Sequence, residues 1–379
     1  MDWWQITGGI YNWSFSIFFF ILTALMVVIA RKGYKSGNMY GCISTSVCGI
    51  LFLIYGIYNA IFGFLPYPYN GFMVWWIGII MSIYFAFAFL VKKIIKKLEN
   101  NKINTSDGNE KKYSLATYVG YMRKESPYHE QISIKMEGLR KSFHLVGFLV
   151  PLAYFGFFFI PPITLLVSDN VWLFVHQSEA IYYPLWGSLS AFPYGQNDFQ
   201  AIIDLTMFAL IATLVFAIIS DLIRVLWGAE YSIYSLLTRA VLRNKELNAM
   251  GPQIQLVCGA IFAYWLYTIG LIQISAAMGA ILIACLSDAA AALIGRKYGK
   301  HEVKCIGGDI KSLEGFIAGV GSAYLIGLFC VGPFYALTAA LIFFILDYFP
   351  IVIADNILNP IAISIGLGLV MALLGIPIL

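Results

Sequence analysis

Charged residues are scarce in this chain: they make up 12% of its 379 residues, against about a quarter in ordinary soluble domains. Hydrophobic residues make up 60%, and they gather in uncharged runs long enough to cross a bilayer as helices. This composition excludes a pair of soluble domains, which the length alone would allow. We therefore predict an all-α polytopic membrane protein with the lipid bilayer as its surroundings and no nucleic-acid partner.

Cysteine motifs are also missing. None of the six cysteines forms a CxxC pair, and no Cys or His cluster has zinc-site spacing, so the pattern indicates neither a disulfide framework nor a structural metal. The N-terminal stretch MDWWQITGG lacks a basic region, so the first apolar run is interpreted as a membrane span and not as a cleaved signal peptide.

Ten apolar runs have roughly the length of a membrane span. They lie at residues 13–30, 42–64, 72–91, 142–167, 200–223, 254–273, 275–294, 313–331, 334–353 and 359–378. Lys and Arg concentrate in cytoplasmic loops. With ten spans and both termini outside, all 24 Lys and Arg residues fall in the inner loops. This partition predicts ten transmembrane helices with the N- and C-termini outside.

The runs also suggest a division of the chain. Residues 1–91 are predicted to form an N-terminal three-helix membrane bundle, 92–136 a basic cytosolic linker, and 137–379 a seven-helix catalytic membrane domain.

The densest polar chemistry lies between the seventh and eighth predicted spans, in SDAAAALIGRKYGKHEVKCIGGDIKSLEG, residues 287–315. Asp288 and Gly295 are two helical turns apart and share one face. A helix start with free N–H groups, a serine, a lysine and nearby glycines is suited to phosphate. The alternative is an ordinary basic loop at the headgroups, which does not need the acids. The candidate phosphate-binding residues are Gly295, Arg296, Gly299, Lys300, Lys311, Ser312, Glu314 and Gly315.

Three further polar clusters lie near the inner ends of predicted spans. Glu137, Arg140, Lys141 and His144 share one helix face, which is either part of a polar pocket or an ion pair beside an interfacial histidine. Asp221 and Arg224 have ion-pair spacing and are either structural or part of the same polar surface.

The last cluster is DYFPIVIADNILNP, residues 347–360, with Asp347, Asp355 and Asn356 in apolar surroundings. These acids need a cation, either Mg²⁺ or a Lys or Arg from the loops.

In this order, SDxxAxxxGRxxGK, KSxEG and DNxxxP resemble the CTP-dependent polyprenol kinase family, which includes dolichol and phytol kinases. The similarity runs from about Glu137 to the C-terminus, and EGLRKSFH resembles the family's ExxRKxxH stretch. Asp347 stands where such kinases often have Glu.

The resemblance implies transfer of the CTP γ-phosphoryl group to a membrane isoprenoid alcohol, with Mg²⁺ or another divalent cation. It implies catalytic roles for Asp288, Asp355 and His144, and metal binding by Asp288, Asp355 and Asp347, without dividing metal binding from hydroxyl activation. It places the site at the cytosolic face of a plasma membrane or an endoplasmic reticulum.

Three other functions stay open at this stage. A CTP-dependent diacylglycerol kinase fits the same residues, because a lipid tail pocket leaves only an apolar lining. A CDP-lipid synthase is weakened by the ending DNILNP, which lacks the basic-acidic signature of such synthases. A secondary transporter would place its binding residues near the midplane in repeated halves, and no repeat is visible here.

Overall fold

The computed structural model describes residues 3–67, 69–101, 115–124, 198–233, 248–305, 310–349 and 351–375, and single residues at 138, 173, 235 and 246. The helices within these ranges are α1 (Trp3–Lys35), α2 (Met39–Ile61), α3 (Tyr69–Asn101), α4 (Leu115–Lys124), α5 (Asp198–Leu226), α6 (Pro252–Thr268), α7 (Ile274–Tyr298), α8 (Leu313–Val331), α9 (Pro333–Tyr348) and α10 (Asp355–Leu374).

The described helices confirm a helical membrane protein. Among them α1, α2, α3, α5, α7, α8 and α10 are long and apolar enough to cross a bilayer, and α9 is a shorter apolar helix of 16 residues. Each predicted run in the described ranges overlaps a helix, but α6 and α9 end before the predicted runs 254–273 and 334–353 do, and neither is among the seven candidate spans. The predicted run at 142–167 lies outside them, so the count of ten and the orientation of the termini stay predictions.

One small β-hairpin interrupts the helical pattern, which the sequence did not indicate. Strands β1 (Glu302–Lys304) and β2 (Ile310–Ser312) pair antiparallel between α7 and α8, with Val303 opposite Lys311. In β1 the half-buried Val303 lies between exposed Glu302 and Lys304, which is the period of a strand with one buried face, whereas β2 shows no such alternation. Because three residues give almost no periodic signal, the link read only as a loop.

All the described α-helices except α4 share one apolar core that runs from α1 to α10, and α4 packs with the end of α3 in a separate small cluster. Buried tyrosines join distant helices within it: the Tyr55 hydroxyl of α2 donates to the Cys258 carbonyl at 2.8 Å, and that of Tyr264 donates to the Ile203 carbonyl at 2.7 Å. Buried polar groups in a membrane interior need such partners. The helices before residue 91 therefore pack directly on later ones, while the predicted domain boundary itself stays a prediction.

Two kinds of polar contact mark the two ends of the bundle. At one end the asparagines of α1, α2 and α3 are linked: Asn59 donates to the Asn12 carbonyl, and Asn70 donates to the Asn12 side chain. At the other end, the Lys32 ammonium donates to the Val225 carbonyl beside Arg224. We call this second end the basic end, since Lys32, Arg224, Arg296 and Lys311 lie along it.

Helices α7 and α8 approach closely along a line of small residues at the basic end. A Cβ added at Gly315 would lie 2.6 Å from the Ala291 carbonyl oxygen and 2.8 Å from the Gly295 Cα. A Cβ at Gly319 would lie 2.9 Å from the Ala291 side chain. Small residues let helix backbones meet in membranes, and this contact fixes the hairpin over the end of α7.

Gly315→Ala is expected to destabilise the protein by about 1–3 kcal/mol, because the added methyl group forces the α7 and α8 backbones apart. Gly321→Ala is the matched control in the same helix, since a Cβ there meets nothing within 4 Å. Thermal unfolding of both variants in detergent checks this, and equal melting temperatures would contradict the close packing.

Candidate functional site

The candidate site is built where α7, the hairpin, α8 and the start of α10 meet at the basic end. Gly295 and Gly299 lie against Ser312: a Cβ at Gly295 would be 2.7 Å from the Ser312 Oγ. Ser312 is the N-cap of α8, and its Oγ accepts from the Gly315 N–H at 3.2 Å. The GRxxGK and KSxEG segments are therefore adjacent in the fold.

Lys311 is the centre of this site. It lies on β2, and its ammonium donates to the Asp347 carboxylate at 2.6 Å and to the Asp347 carbonyl at 2.8 Å. The side chains are 32% and 19% exposed, so the pair is partly desolvated yet open to solvent. Lys311 is therefore the cation that balances the charge of Asp347.

Asp355 also acts on Lys311. Burial lowers the pKa of the Lys311 ammonium, but the charge and hydrogen bond of Asp347, together with the charge of Asp355, outweigh burial and raise the pKa above its ordinary value. Asp355 begins α10 and its side chain is exposed. The charges of two acids from different helices thus favour the protonated form of this lysine.

Asp288 on α7 and Asp355 on α10 lie at similar positions along the length of the bundle. Gly368 of α10 packs against Ile272, just before α7 begins, and the two helices run in opposite directions. From that contact, Asp355 lies about 20 Å along α10 and Asp288 about 24 Å along α7. The two residues therefore differ in position along the helix axes by roughly one turn. Asp288 is half-buried and shares the helix face of Gly295, the face that meets α8.

Glu314 and Ser312 have local partners in this structure. The Glu314 carboxylate contacts the His301 Nδ1 at 2.7 Å, and the Leu313 N–H donates to the His301 carbonyl at 2.8 Å. The start of α8 therefore does not offer the free N–H groups that the sequence suggested, because the hairpin and the cap already occupy those of Leu313 and Gly315. These residues shape the site, and His301 belongs to it although its position gave no signal in the sequence.

Asp221 and Arg224 form a buried ion pair that also bonds to backbone groups of the 249–251 segment. The Arg224 Nε donates to Asp221 at 2.5 Å, its guanidinium donates to the Ala249 carbonyl, and the Gly251 N–H donates to the other Asp221 oxygen at 2.6 Å. Both side chains are 2% exposed. Of the two interpretations of this pair, the structural one fits these contacts.

The remaining predicted site residues are exposed, buried or outside the described ranges. Arg296 and Lys300 are exposed at the end of α7, while Asn356 is buried and donates to the Pro252 carbonyl at 3.4 Å. Glu137, Arg140, Lys141 and His144 lie outside the described residues. Within the described part of the chain, no group of three or more His, Cys, Asp or Glu side chains has the arrangement of a metal site.

Searches for similar proteins give no match to this chain from family models, curated proteins or solved structures.

Proposed function

We propose that this chain is a CTP-dependent lipid kinase that phosphorylates the hydroxyl group of a polyprenol- or dolichol-type alcohol. The observation that carries the proposal is Lys311, whose ammonium is bonded to the Asp347 carboxylate and carbonyl at the basic end. A fixed cation beside carboxylates, at the depth where a lipid hydroxyl meets aqueous nucleotide, suits phosphoryl transfer, which depends on positioning and charge stabilisation.

In this proposal the cations bind the nucleotide phosphates. Lys311 is held in place by Asp347, and the exposed Arg296 and Lys300 supply further charge from the end of α7. Gly295 and Gly299 bring that end against Ser312, so the cations of α7 and of the hairpin lie on one surface. Glu314 and Gly315 support the surface from the first turn of α8.

Asp288, Asp347 and Asp355 are described residues that are not grouped as a metal site, so in this proposal Mg²⁺ would be held by one or two of these acids together with the substrate phosphates. Mg²⁺ commonly takes one or two carboxylates plus phosphate oxygens. Asp288 and Asp355 would hold it, and Asp347 would take part only through the oxygen that Lys311 leaves. The metal would neutralise charge on the transferred phosphoryl group. One of the two acids would also accept the proton of the lipid hydroxyl group, with His144 as a further candidate.

The topology belongs to the same proposal. Ten spans with both termini outside would put the basic end, and with it the site, at the cytosolic face of a multi-pass membrane protein. The helix ends that carry Lys32, Arg224 and Lys311 lie at one end of the bundle, which supports this orientation. The lipid alcohol would reach the site from the bilayer between apolar helix faces.

The test is an assay of the purified protein in detergent with Mg²⁺. The γ-labelled CTP, ATP, GTP and UTP are each offered with dolichol, phytol, geranylgeraniol and diacylglycerol. We expect CTP to label a prenol and CDP to be released. If only diacylglycerol is labelled, the protein is a diacylglycerol kinase and not a prenol kinase. If no acceptor is labelled, the proposal is contradicted. Because detergent leaves no sealed compartment, turnover there excludes transport as the primary activity.

A further inference from the structure

Helix α2 holds the starts of α6 and α10 through two neighbouring hydroxyl side chains. The Ala354 N–H donates to the Ser44 Oγ at 3.0 Å, and the Met250 N–H donates to the Thr45 Oγ1 at 3.2 Å. Ser44 and Thr45 are both fully buried. We call these two residues the hydroxyl clamp.

The serine of the clamp acts next to a candidate catalytic acid. Ala354 is the N-cap of α10, and it has no side chain to cap the helix. Its carbonyl accepts from the N–H groups of Ile357 and Leu358, so the position of Ala354 sets where the first turn begins. Asp355 is the first residue of that turn. The Ser44 hydroxyl therefore fixes the backbone from which the Asp355 carboxylate projects.

The threonine of the clamp acts on a segment without a candidate catalytic group. Met250 precedes Pro252, the first residue of α6, and the Gly251 N–H beside it is held by Asp221. A Cβ added at Gly41, one turn before the clamp, would lie 2.5 Å from the Ala249 side chain. The backbones of α2 and the 248–251 segment are thus in close contact, and Thr45 secures that contact.

We infer that Ser44 is a positioning residue for Asp355, and that α2 belongs to the catalytic unit because it carries the clamp. This inference rests on the proposed function for its activity readout. Without the Ser44 hydroxyl, the buried Ala354 N–H loses its acceptor, and the first turn of α10 is free to shift. A displacement of about 1 Å at a reacting group costs up to about a hundredfold in rate.

The experiment compares three variants of the full-length protein in detergent. Ser44→Ala removes the hydroxyl that holds Ala354. Thr45→Val removes the neighbouring hydroxyl with little change of shape and loosens the 248–251 segment instead. Ser46→Ala is the neutral control, because the exposed Ser46 Oγ bonds only within its own helix, to the Cys42 carbonyl. Hydrogen exchange of peptides 351–358 and 248–254 is measured together with kcat and KM for CTP.

We expect Ser44→Ala to raise exchange in 351–358 by roughly tenfold and to lower kcat by about ten- to a hundredfold, with KM for CTP nearly unchanged. Thr45→Val should raise exchange in 248–254 and lower kcat far less, although it loses a comparable buried hydrogen bond. Ser46→Ala should change neither quantity.

Two results would overturn the inference: unchanged exchange in 351–358 for Ser44→Ala, or equal losses of kcat in Ser44→Ala and Thr45→Val, which would indicate general loosening. A wild-type protein without kinase activity would defeat the proposed function instead. The exchange comparison would then still decide whether the clamp holds the start of α10.

Discussion

Lys311→Ala is expected to lower CTP-dependent lipid phosphorylation by at least about 10²–10³-fold, the usual cost of removing a fixed group that stabilises transition-state charge. The Lys311 ammonium is held by Asp347 at 2.6 Å, so it needs little reorganisation when phosphate arrives. Lys311→Arg should recover only part of the rate, because the planar guanidinium cannot take the place of a compact ammonium between two oxygens of Asp347. Initial rates with γ-labelled CTP measure both effects.

The matched control is Lys304→Ala. Lys304 lies in the same hairpin, on β1, and its side chain is exposed. Its removal changes the net charge by the same amount and should leave the rate within about twofold, since exposed charges are screened. If Lys304→Ala and Lys311→Ala lost activity equally, the basic end would act only as a diffuse positive surface.

Asp288→Asn is expected to lower kcat by about 10²–10⁴-fold, the range for losing a positioned acid or base. The substitution keeps the size of the side chain on the α7 face that meets α8 and removes only its negative charge. If Asp288 holds Mg²⁺, the Mg²⁺ concentration for half-maximal rate also rises. If it accepts the hydroxyl proton, that concentration stays constant while kcat falls.

Glu302→Gln is the control for the acid. Glu302 begins β1 at the same end of the bundle, and its side chain is exposed. The substitution removes one exposed carboxylate and leaves the backbone pairing of Glu302 with Ser312 in place, so we expect the rate and the Mg²⁺ dependence to stay close to wild type. Near-normal turnover in Asp288→Asn would remove Asp288 from the site.

Hydropathy was enough to predict a membrane protein built from apolar helices. Every predicted run within the described ranges overlaps a helix, and seven of these helices have the length and hydropathy of a membrane span, because a bilayer demands about 20 apolar residues with internally bonded backbone. The glycines at 295, 299 and 315 were also informative, since small residues near helix ends indicate close backbone approach. Hydropathy and glycine positions are properties of short segments, so they can be recognised without knowing which segments meet in the fold.

The contacts that make the site were beyond sequence reasoning because they join distant residues. Lys311 and Asp347 are 36 residues apart, and Ser44 and Ala354 are 310 apart. The sequence left two cations open for Asp347, a metal or a loop lysine, and only the packing of α8 against α9 brings the lysine there. Likewise Asp221 and Arg224 had the same spacing as a functional pair, and their burial identifies them as structural.

The most direct test of the proposed kinase uses CTP labelled separately at the α and γ phosphates, with the purified protein, Mg²⁺ and a prenol. The account predicts that the γ label moves to the lipid, that the α label stays on released CDP, and that Lys311→Ala abolishes the transfer. Absence of the γ label from the prenol, together with transfer of the α label to a lipid phosphate offered in a parallel assay and release of pyrophosphate, would indicate a CDP-lipid synthase and would contradict the account.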